Sequence, residues 1–440
     1  MNRPLHSFLH TLVIVVVLGL FTGQASATPD IQQWQTSNGA RVYFVAAPQL
    51  PMVDIQVVFD AGSARDDGKS GLALLTNGLL AEGAGKLSAD AIAERFDNIG
   101  ARFSNSALRD MSVVSLRTLT DKKLLTAALD TFATVLQQPT FPAEALERVR
   151  NQMLIGLQDE EQSPGAIAEK SFYRALYDHH PYAAPSGGSS ESVKALSRTD
   201  VENFYHRYFV TRNAVVAIVG ALDRQQAERI AEQLMQKLPA GEAAPALPAV
   251  PPLAGAETLH ITHPSSQTHI LMGQPGMRRD DPDYFPLFVG NFILGGSGFT
   301  SRITREIREK RGLAYSAYSY FLPMREQGPF MLGLQTRNSS AAEAQQLLHD
   351  TLVSFVKEGP QESELIAAQK NITGGFALNI DSNSDIVQFL ALIGFYRLPT
   401  DYLDTYVARV NSVTVAQIRE AFARRIDPER MITVTVGGGR

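Results

Sequence analysis

The stretch Gly71-Leu-Ala-Leu-Leu-Thr-Asn-Gly-Leu-Leu80 follows an alternating run, Val53-Asp-Ile-Gln-Val-Val-Phe59. The alternating run predicts a β-strand, because successive side chains of a strand point to opposite faces. The leucine-rich stretch predicts a helix directly after it. The same order recurs later, where residues 268–272 form a second predicted strand and residues 284–294 a second predicted helix. A repeat of about 200 residues is too long for a solenoid and indicates a duplicated domain.

Each half also closes on a β-branched strand, residues 213–220 in the first half and residues 431–437 in the second. Long amphipathic helices lie between the strands, for example over residues 121–137, where apolar residues recur at helical spacing. Another helix is predicted to begin at Thr199, with Glu202 completing a capping box. Strands mixed with such helices predict the α+β class.

The chain has 440 residues, which is too many for one ordinary core, so two or more domains are expected. The net charge is −5, whereas a nucleic-acid-binding protein would show a basic face, so the charge argues against a nucleic-acid partner. Residues 238–257 contain five prolines and no periodic pattern, which is typical of a semi-extended linker. We therefore place an N-terminal domain at residues 28–237 and a C-terminal domain at residues 258–440.

The first 27 residues are typical of a cleavable signal peptide. Arg3 precedes an apolar run at residues 12–21, and Ala25-Ser-Ala27 is a small-residue cleavage site. The alternative is an uncleaved helix that anchors the chain in the inner membrane, but the apolar run is short for a bilayer, which needs about 20 residues. We expect a periplasmic protein whose mature chain has no membrane span and, with no cysteine, no cysteine-linked lipid.

Six stretches spread over nearly the whole mature chain resemble segments of one family, the insulinase-like or pitrilysin-like M16 zinc peptidases with their mitochondrial processing relatives. The resemblance implies two homologous M16-type domains, each a mostly antiparallel sheet with helices packed on one face. The six stretches are Asp60-Ala-Gly-Ser-Ala-Arg65, residues 87–100, His180-Pro-Tyr182, residues 212–220, Leu294-Gly-Gly-Ser-Gly-Phe-Thr-Ser-Arg302 and Ile307-Arg-Glu-Lys-Arg-Gly-Leu-Ala-Tyr-Ser316.

Active members of that family carry His-x-x-Glu-His on a helix, with a later glutamate as the third zinc ligand. Aligned on Gly71-Leu-Ala, the two histidine positions hold Leu74 and Gly78, the catalytic glutamate position holds Asn77, and the distal glutamate position falls near Gly156. Leucine and glycine side chains offer no lone pair, and asparagine has no titrating group for general-base work. We expect this chain to bind no zinc and a partner subunit to carry it.

Other ligand sites are weaker alternatives. His260 and His263 are three residues apart, which on a strand places them on opposite faces, and His179-His180 precedes a predicted turn. Neither pair has the further ligands of a catalytic metal site. Gly295-Gly-Ser-Gly298 lacks the Lys-Ser/Thr of a phosphate loop and is more simply interpreted as a flexible loop.

The family resemblance also implies a role for Arg308 and Tyr315, because active members complete their zinc site with an arginine and a tyrosine at this spacing from the partner half. Guanidinium and phenol are donors that can hold a peptide carbonyl and the oxyanion that develops on it. The alternative is structural: Arg308 could form an ion pair with Glu309 or nearby acids, and Tyr315 could be a packing residue of its strand.

The resemblance therefore predicts the metal-free subunit of a heterodimeric M16-type peptidase. A zinc-bearing M16-type partner would bring the metal, and this chain would contribute Arg308 and Tyr315 to a site that holds an extended peptide or unfolded polypeptide. Two alternatives remain open: a scaffold protein, as in the respiratory core subunits that resemble this family, and a homodimeric peptide-binding protein without catalysis.

Overall fold

The computed structural model describes residues 29–438. The predicted signal peptide at residues 1–27 lies outside these residues and stays a prediction. Within the described part, no helix combines the length and apolar character that crossing a bilayer requires.

The N-terminal half builds a six-stranded sheet with a layer of helices. Its strands, including the two-residue hairpin β4–β5, are β1 (Gln32–Gln35), β2 (Arg41–Ala46), β3 (Met52–Phe59), β4 (Gly83–Ala84), β5 (Leu87–Ser88), β6 (Arg102–Ala107), β7 (Ser112–Leu119) and β8 (Ala214–Gly220). Its helices are α1 (Leu72–Leu79), α2 (Ala89–Asp97), α3 (Lys122–Gln137), α4 (Ala143–Gln162), α5 (Pro164–Tyr177), α6 (Ser190–Ala195), α7 (Arg198–Tyr208) and α8 (Arg224–Met235).

The C-terminal half builds a five-stranded sheet. Its strands are β9 (Glu257–His263), β10 (Gln267–Pro275), β11 (Ala314–Phe321), β12 (Pro329–Arg337) and β13 (Ile432–Gly438). Its helices are α9 (Tyr284–Asn291), α10 (Arg302–Thr304), α11 (Ala341–Glu358), α12 (Glu362–Phe376), α13 (Asn383–Tyr396), α14 (Tyr402–Asn411) and α15 (Val415–Arg425). Two π-helical turns, Phe292–Gly296 and Arg305–Glu309, flank a 3₁₀ turn at Gly298–Thr300.

The two sheets have the same topology. The N-terminal order is β1-β2-β8-β3-β7-β6, and the C-terminal sheet read from its other edge is β9-β13-β10-β12-β11. In each sheet only one neighbouring pair is parallel, β2 with β8 and β9 with β13. The predicted α+β fold with two homologous, mostly antiparallel domains is confirmed.

One face of each sheet packs against helices of its own half, as the resemblance implied. Strand β3 buries Val53, Ile55 and Val57 in a core with side chains of α1, α3, α7 and α8. A matching core in the second half joins β10, β11 and β12 to α9, α11 and α15.

The other face of each sheet is covered by a helix from the opposite half. Helix α5 of the N-terminal half packs Phe172 and Leu176 against β10 and β13 of the C-terminal sheet. Helix α13 of the C-terminal half packs Val387 and Leu390 against β3 and β8 of the N-terminal sheet. This reciprocal exchange was not foreseen from the sequence, and it makes each half part of the core of the other.

Polar contacts also join the two halves. Asp110, in the turn between β6 and β7, is 4% exposed and accepts hydrogen bonds from three groups. They are the Tyr182 hydroxyl at 2.6 Å, the Tyr396 hydroxyl at 3.0 Å and the backbone N–H of Arg325 at 2.7 Å. The Arg325 guanidinium lies 3.2 Å from a carboxylate oxygen of Asp60. The loop between β11 and β12 is therefore fastened to the N-terminal half.

Two sequence expectations need correction. Helix α7 is capped by Ser197, whose side chain accepts a hydrogen bond from the backbone N–H of Asp200, and the Asp200 carboxylate accepts one from the backbone N–H of Ser197. The predicted cap at Thr199 with Glu202 was therefore wrong. Ser197 has the extended backbone that a cap requires, whereas Thr199 already lies inside the helix. Glycines 295 and 296 belong to a π-helical turn, so the predicted flexible loop was also wrong.

The proline-rich segment has neither helix nor strand between residues 239 and 253, and it runs along the protein surface. Leu247 and Val250 are buried against the core that contains α5. The carbonyl of Pro245 accepts a hydrogen bond from Arg65 at 2.8 Å, and the carbonyl of Pro248 lies 2.8 Å from His180 Nε2. The domain boundaries around this segment stay predictions.

Candidate functional site

Helix α1 carries three of the four predicted zinc-motif positions, and the residues at these positions pack against or bond to neighbouring elements of the fold. Asn77 is buried, and its side-chain amide donates to Ser112 Oγ and to the carbonyl of Val113 on β7. Asn105 on β6 donates to the backbone carbonyl of Asn77. Asn77, at the predicted position of the catalytic glutamate, therefore joins α1 to the sheet.

The neighbouring positions, Leu74 and Gly78, are partly buried. A β-carbon added to Gly78 would lie 3.5 Å from Val149 Cγ1 on α4, which is ordinary contact, so the backbone does not demand glycine there. Gly156, further along α4, is exposed and has open space around its β-position. The side of α4 that packs on the N-terminal core holds Val149 and Met153 instead.

A buried carboxylate caps the start of α1. Gly71 adopts a left-handed φ of +93°, and Asp66 accepts hydrogen bonds from the backbone N–H groups of Gly71 and Ala73, both at 2.8 Å. Asp66 is 3% exposed, and this burial raises its pKa to about 7. Asp66 thus stabilises the start of α1.

In the part of the chain that the structure describes, the histidines considered as alternative ligands are not grouped with further ligands. His260 Nδ1 lies 2.9 Å from Thr435 Oγ1, and His180 contacts the proline-rich segment, while His179 is exposed. Acidic residues 159–161 lie at the end of α4, where Glu160 pairs with Lys170. Across residues 29–438, no three His, Asp or Glu side chains are grouped so that they could hold a metal ion.

Arg308 and Tyr315 do come together. Arg308 lies in the π-helical turn Arg305–Glu309, and Tyr315 lies on β11 at a bulge between Ala314 and Ala317. The Arg308 Cζ atom is 4.8 Å from the centre of the Tyr315 ring, and Tyr315 is 83% exposed. A bulge re-aims side chains, which explains how a strand residue projects so far from its sheet.

The structural alternatives for this pair are disfavoured. Among the described residues, Arg308 forms no ion pair. The nearby acids pair with other residues: Glu306 pairs with Lys310 and Arg311, and Glu364 pairs with Arg302 and Arg305. Tyr315 is too exposed to be a packing residue.

A third residue was missed by the sequence reasoning. The centre of the Phe299 ring lies 4.7 Å from Arg308 Cζ, so Phe299 also contacts the guanidinium, and it is 67% exposed. The sequence does show an aromatic residue directly after the Gly295–Gly298 stretch, but a comparison with phosphate loops takes no account of that position.

Comparison with known proteins identifies the family. The family description "Insulinase (Peptidase family M16)" matches residues 41–189, and "Peptidase M16 inactive domain" matches residues 195–372. A crystal structure of a peptidase M16 inactive domain from Pseudomonas fluorescens is 40% identical, with a TM-score of 0.91 over 93% of this chain and 99% of that chain. This chain belongs to the M16 peptidase family.

Curated relatives of this M16 chain have mixed names. It is 26% identical over 416 residues to the non-peptidase homolog YmxG of Helicobacter pylori, covering 93% of this chain and 94% of that protein. It is also 26% identical over 367 residues to an uncharacterized zinc protease of Streptomyces coelicolor, covering 82% of this chain and 79% of that protein. The non-ligating residues at the motif positions, the inactive-domain match and the non-peptidase relative together support a non-catalytic M16 protein.

Proposed function

We propose that this chain is the metal-free subunit of a heterodimeric M16 peptidase and supplies Arg308 and Tyr315 to the active site of a zinc-bearing partner. The observation that carries the proposal is the exposed stack of Arg308 on Tyr315, which has no ion-pair partner among residues 29–438. The motif positions on α1 hold Leu74, Asn77 and Gly78, so the chemistry that zinc supplies would come from the other chain.

The two side chains suit that role because of their donors. A guanidinium presents five N–H groups in its plane, and a phenol presents one O–H. Aimed at a scissile carbonyl, these donors would stabilise the oxyanion that develops on the carbonyl oxygen during hydrolysis. Removing one such donor typically lowers the rate by about 10²–10³-fold.

An extended peptide or unfolded segment is the proposed substrate of the pair. Strand β6 is the terminal strand of the N-terminal sheet, and its side chains alternate between exposed and half-buried. A groove of about 1120 Å³ runs beside it, with Leu87, Ile92 and Phe103 among its apolar lining. Such an edge with adjacent pockets favours binding by strand addition.

The test is reconstitution. The mature chain is purified alone and with a zinc-bearing M16 chain from the same genome, and cleavage of an internally quenched peptide is measured with and without a chelator. We expect no cleavage by this chain alone and chelator-sensitive cleavage by the pair. Cleavage by the single chain with stoichiometric zinc would contradict the proposal.

A peptide-binding protein without catalysis is the second candidate, favoured by the groove beside β6, which needs no metal. It predicts peptide binding by this chain alone and no rate effect on any zinc-bearing chain. Titrating a fluorescent peptide and then measuring cleavage in the mixed sample separates the two candidates.

We also propose that the protein acts in the periplasm, on the strength of the signal-peptide pattern in residues 1–27. A mature N-terminus near Thr28 in the periplasmic fraction is the expected result. Recovery of the intact chain with the inner membrane would support the anchored alternative.

A further inference from the structure

The Arg308 guanidinium contacts two exposed aromatic rings. Its Cζ atom lies 4.7 Å from the centre of Phe299 and 4.8 Å from the centre of Tyr315. These distances are within the range of cation–π contact. Cation–π contact does not use up the five N–H donors of a guanidinium in ordinary hydrogen bonds, so these donors stay free to meet a ligand.

The turn that carries Phe299 is fixed to the strand that carries Tyr315. A β-carbon on Gly295 would lie 2.4 Å from the backbone nitrogen of Ser319 on β11, so only glycine allows this approach. Asn291 accepts from Ser319 Oγ at 2.7 Å and donates to the Ser319 carbonyl at 3.2 Å. Both contacts are buried, and they hold the start of the turn against β11.

The far end of the same turn is fixed as well. Ser301 caps α10, and the Thr304 hydroxyl donates to the carbonyl of Ala317 at 3.2 Å. The turn around Phe299 is thus attached to β11 on both sides. Phe299 is exposed and therefore contributes little to any hydrophobic core, but its ring does contact Arg308.

We propose that Phe299 is a positioning residue for Arg308. Together with Tyr315, it restricts the movement of the guanidinium, so that the donors are held in place before substrate arrives. A free arginine side chain has several rotatable bonds, and confining it in advance removes an entropic penalty from the reaction step. This inference rests on the proposed function of Arg308 in the partner's active site.

The kinetic test uses the reconstituted pair and an internally quenched peptide. Phe299→Ala and Phe299→Leu should each lower kcat by about fivefold, equivalent to about 1 kcal/mol, with KM and complex formation unchanged. Phe299→Trp should retain the natural kcat, because any aromatic face can cover the guanidinium. Leu378→Ala is the control, since Leu378 is similarly exposed and belongs to a different turn.

A second measurement needs neither partner nor substrate. In the isolated chain, the NMR signals of the Arg308 guanidinium, assigned by their loss in Arg308→Lys, should show ring-current shifts and slowed rotation that Phe299→Ala abolishes. If Arg308→Ala leaves kcat unchanged while these signals behave as expected, the proposed function fails and the positioning contact stands. Signals that Phe299→Ala does not alter, or full activity of Phe299→Leu, would overturn the inference.

Discussion

Arg308 and Tyr315 are the residues on which the proposed activity depends. In the reconstituted pair, Arg308→Ala and Tyr315→Phe should each lower turnover by about 10²-fold, because each removes a donor to the developing oxyanion. Gel filtration should show an intact complex. Arg311→Ala is a suitable control, because Arg311 lies nearby and pairs with Glu306. Equal turnover for all three variants would remove the assigned role.

Asn77 has a structural role in the contact between α1 and β7. Asn77→Ala should lower the free energy of unfolding by about 1–3 kcal/mol, since it leaves the buried Ser112 hydroxyl and Val113 carbonyl without this donor. Gly78→Ala should instead be neutral or stabilising by up to about 1 kcal/mol, because alanine favours helices and the β-position has room. Urea unfolding of both variants checks the contrast.

Asp66 gives a pH-dependent prediction. Burial raises its pKa from the usual 3.8 to about 7, so the folded state binds the proton more tightly than the unfolded state. The stability contributed by this group is therefore complete below pH 4 and is lost as the pH rises towards 7. We expect the unfolding free energy of the natural chain, relative to Asp66→Asn, to fall with pH by up to about 1.4 kcal/mol per unit. A difference that stays flat from pH 4 to 7 would contradict this.

At the scale of elements, local patterns located strands β3, β8, β10 and β13 and helices α1, α3, α7 and α9, but they could not assign the neighbours of these elements. The alternation in β3 and the apolar stripe of α3 follow directly from side-chain periodicity. Helix α13 is apolar on several sides, which indicates burial between layers without naming the layers. Its packing on the opposite half depends on contacts with β3 and β8, which are far away in the sequence, and local sequence patterns do not predict such contacts.

Gly394 tests the packing of the exchanged helix α13. Its added β-carbon would lie 2.5 Å from Val215 Cγ1 and 2.7 Å from the Tyr43 ring. Gly394→Ala should therefore destabilise the chain by about 1–3 kcal/mol through overpacking. Gly375→Ala in α12 is the matched control, because its β-position meets nothing within 4 Å. Thermal unfolding of the two variants should separate them clearly.

At the scale of the whole molecule, Asp110 joins the two halves. Asp110→Ala would leave the Tyr182 and Tyr396 hydroxyls and the Arg325 N–H without their acceptor. Each buried donor left without an acceptor costs about 1–3 kcal/mol, so we expect the three together to lower the free energy of unfolding by about 3–9 kcal/mol. Asp97→Ala, at an exposed carboxylate, is the control. Equal calorimetric transitions for both variants would show that Asp110 does not fasten the halves.

The candidate site was predicted in part. The spacing of Arg308 and Tyr315 was informative because a helical turn and a strand bring them to one place. Phe299 was missed because its position depends on the π-helical turns and on the close approach of Gly295 to Ser319, which only three-dimensional packing reveals. The assignment of the distal glutamate position to Gly156 also depends on which face of α4 packs on the core, and sequence spacing alone does not show that face.

The exchanged helices also constrain the order in which the chain can fold. The last strand of the N-terminal sheet ends at Gly220, yet the helix that covers its second face ends only at Tyr396. The N-terminal half leaves the ribosome, and any export channel, before that helix does, so an apolar surface of its sheet has no cover until the rest of the chain follows. We expect the unfolded protein to need a chaperone that protects this surface from aggregation during that interval.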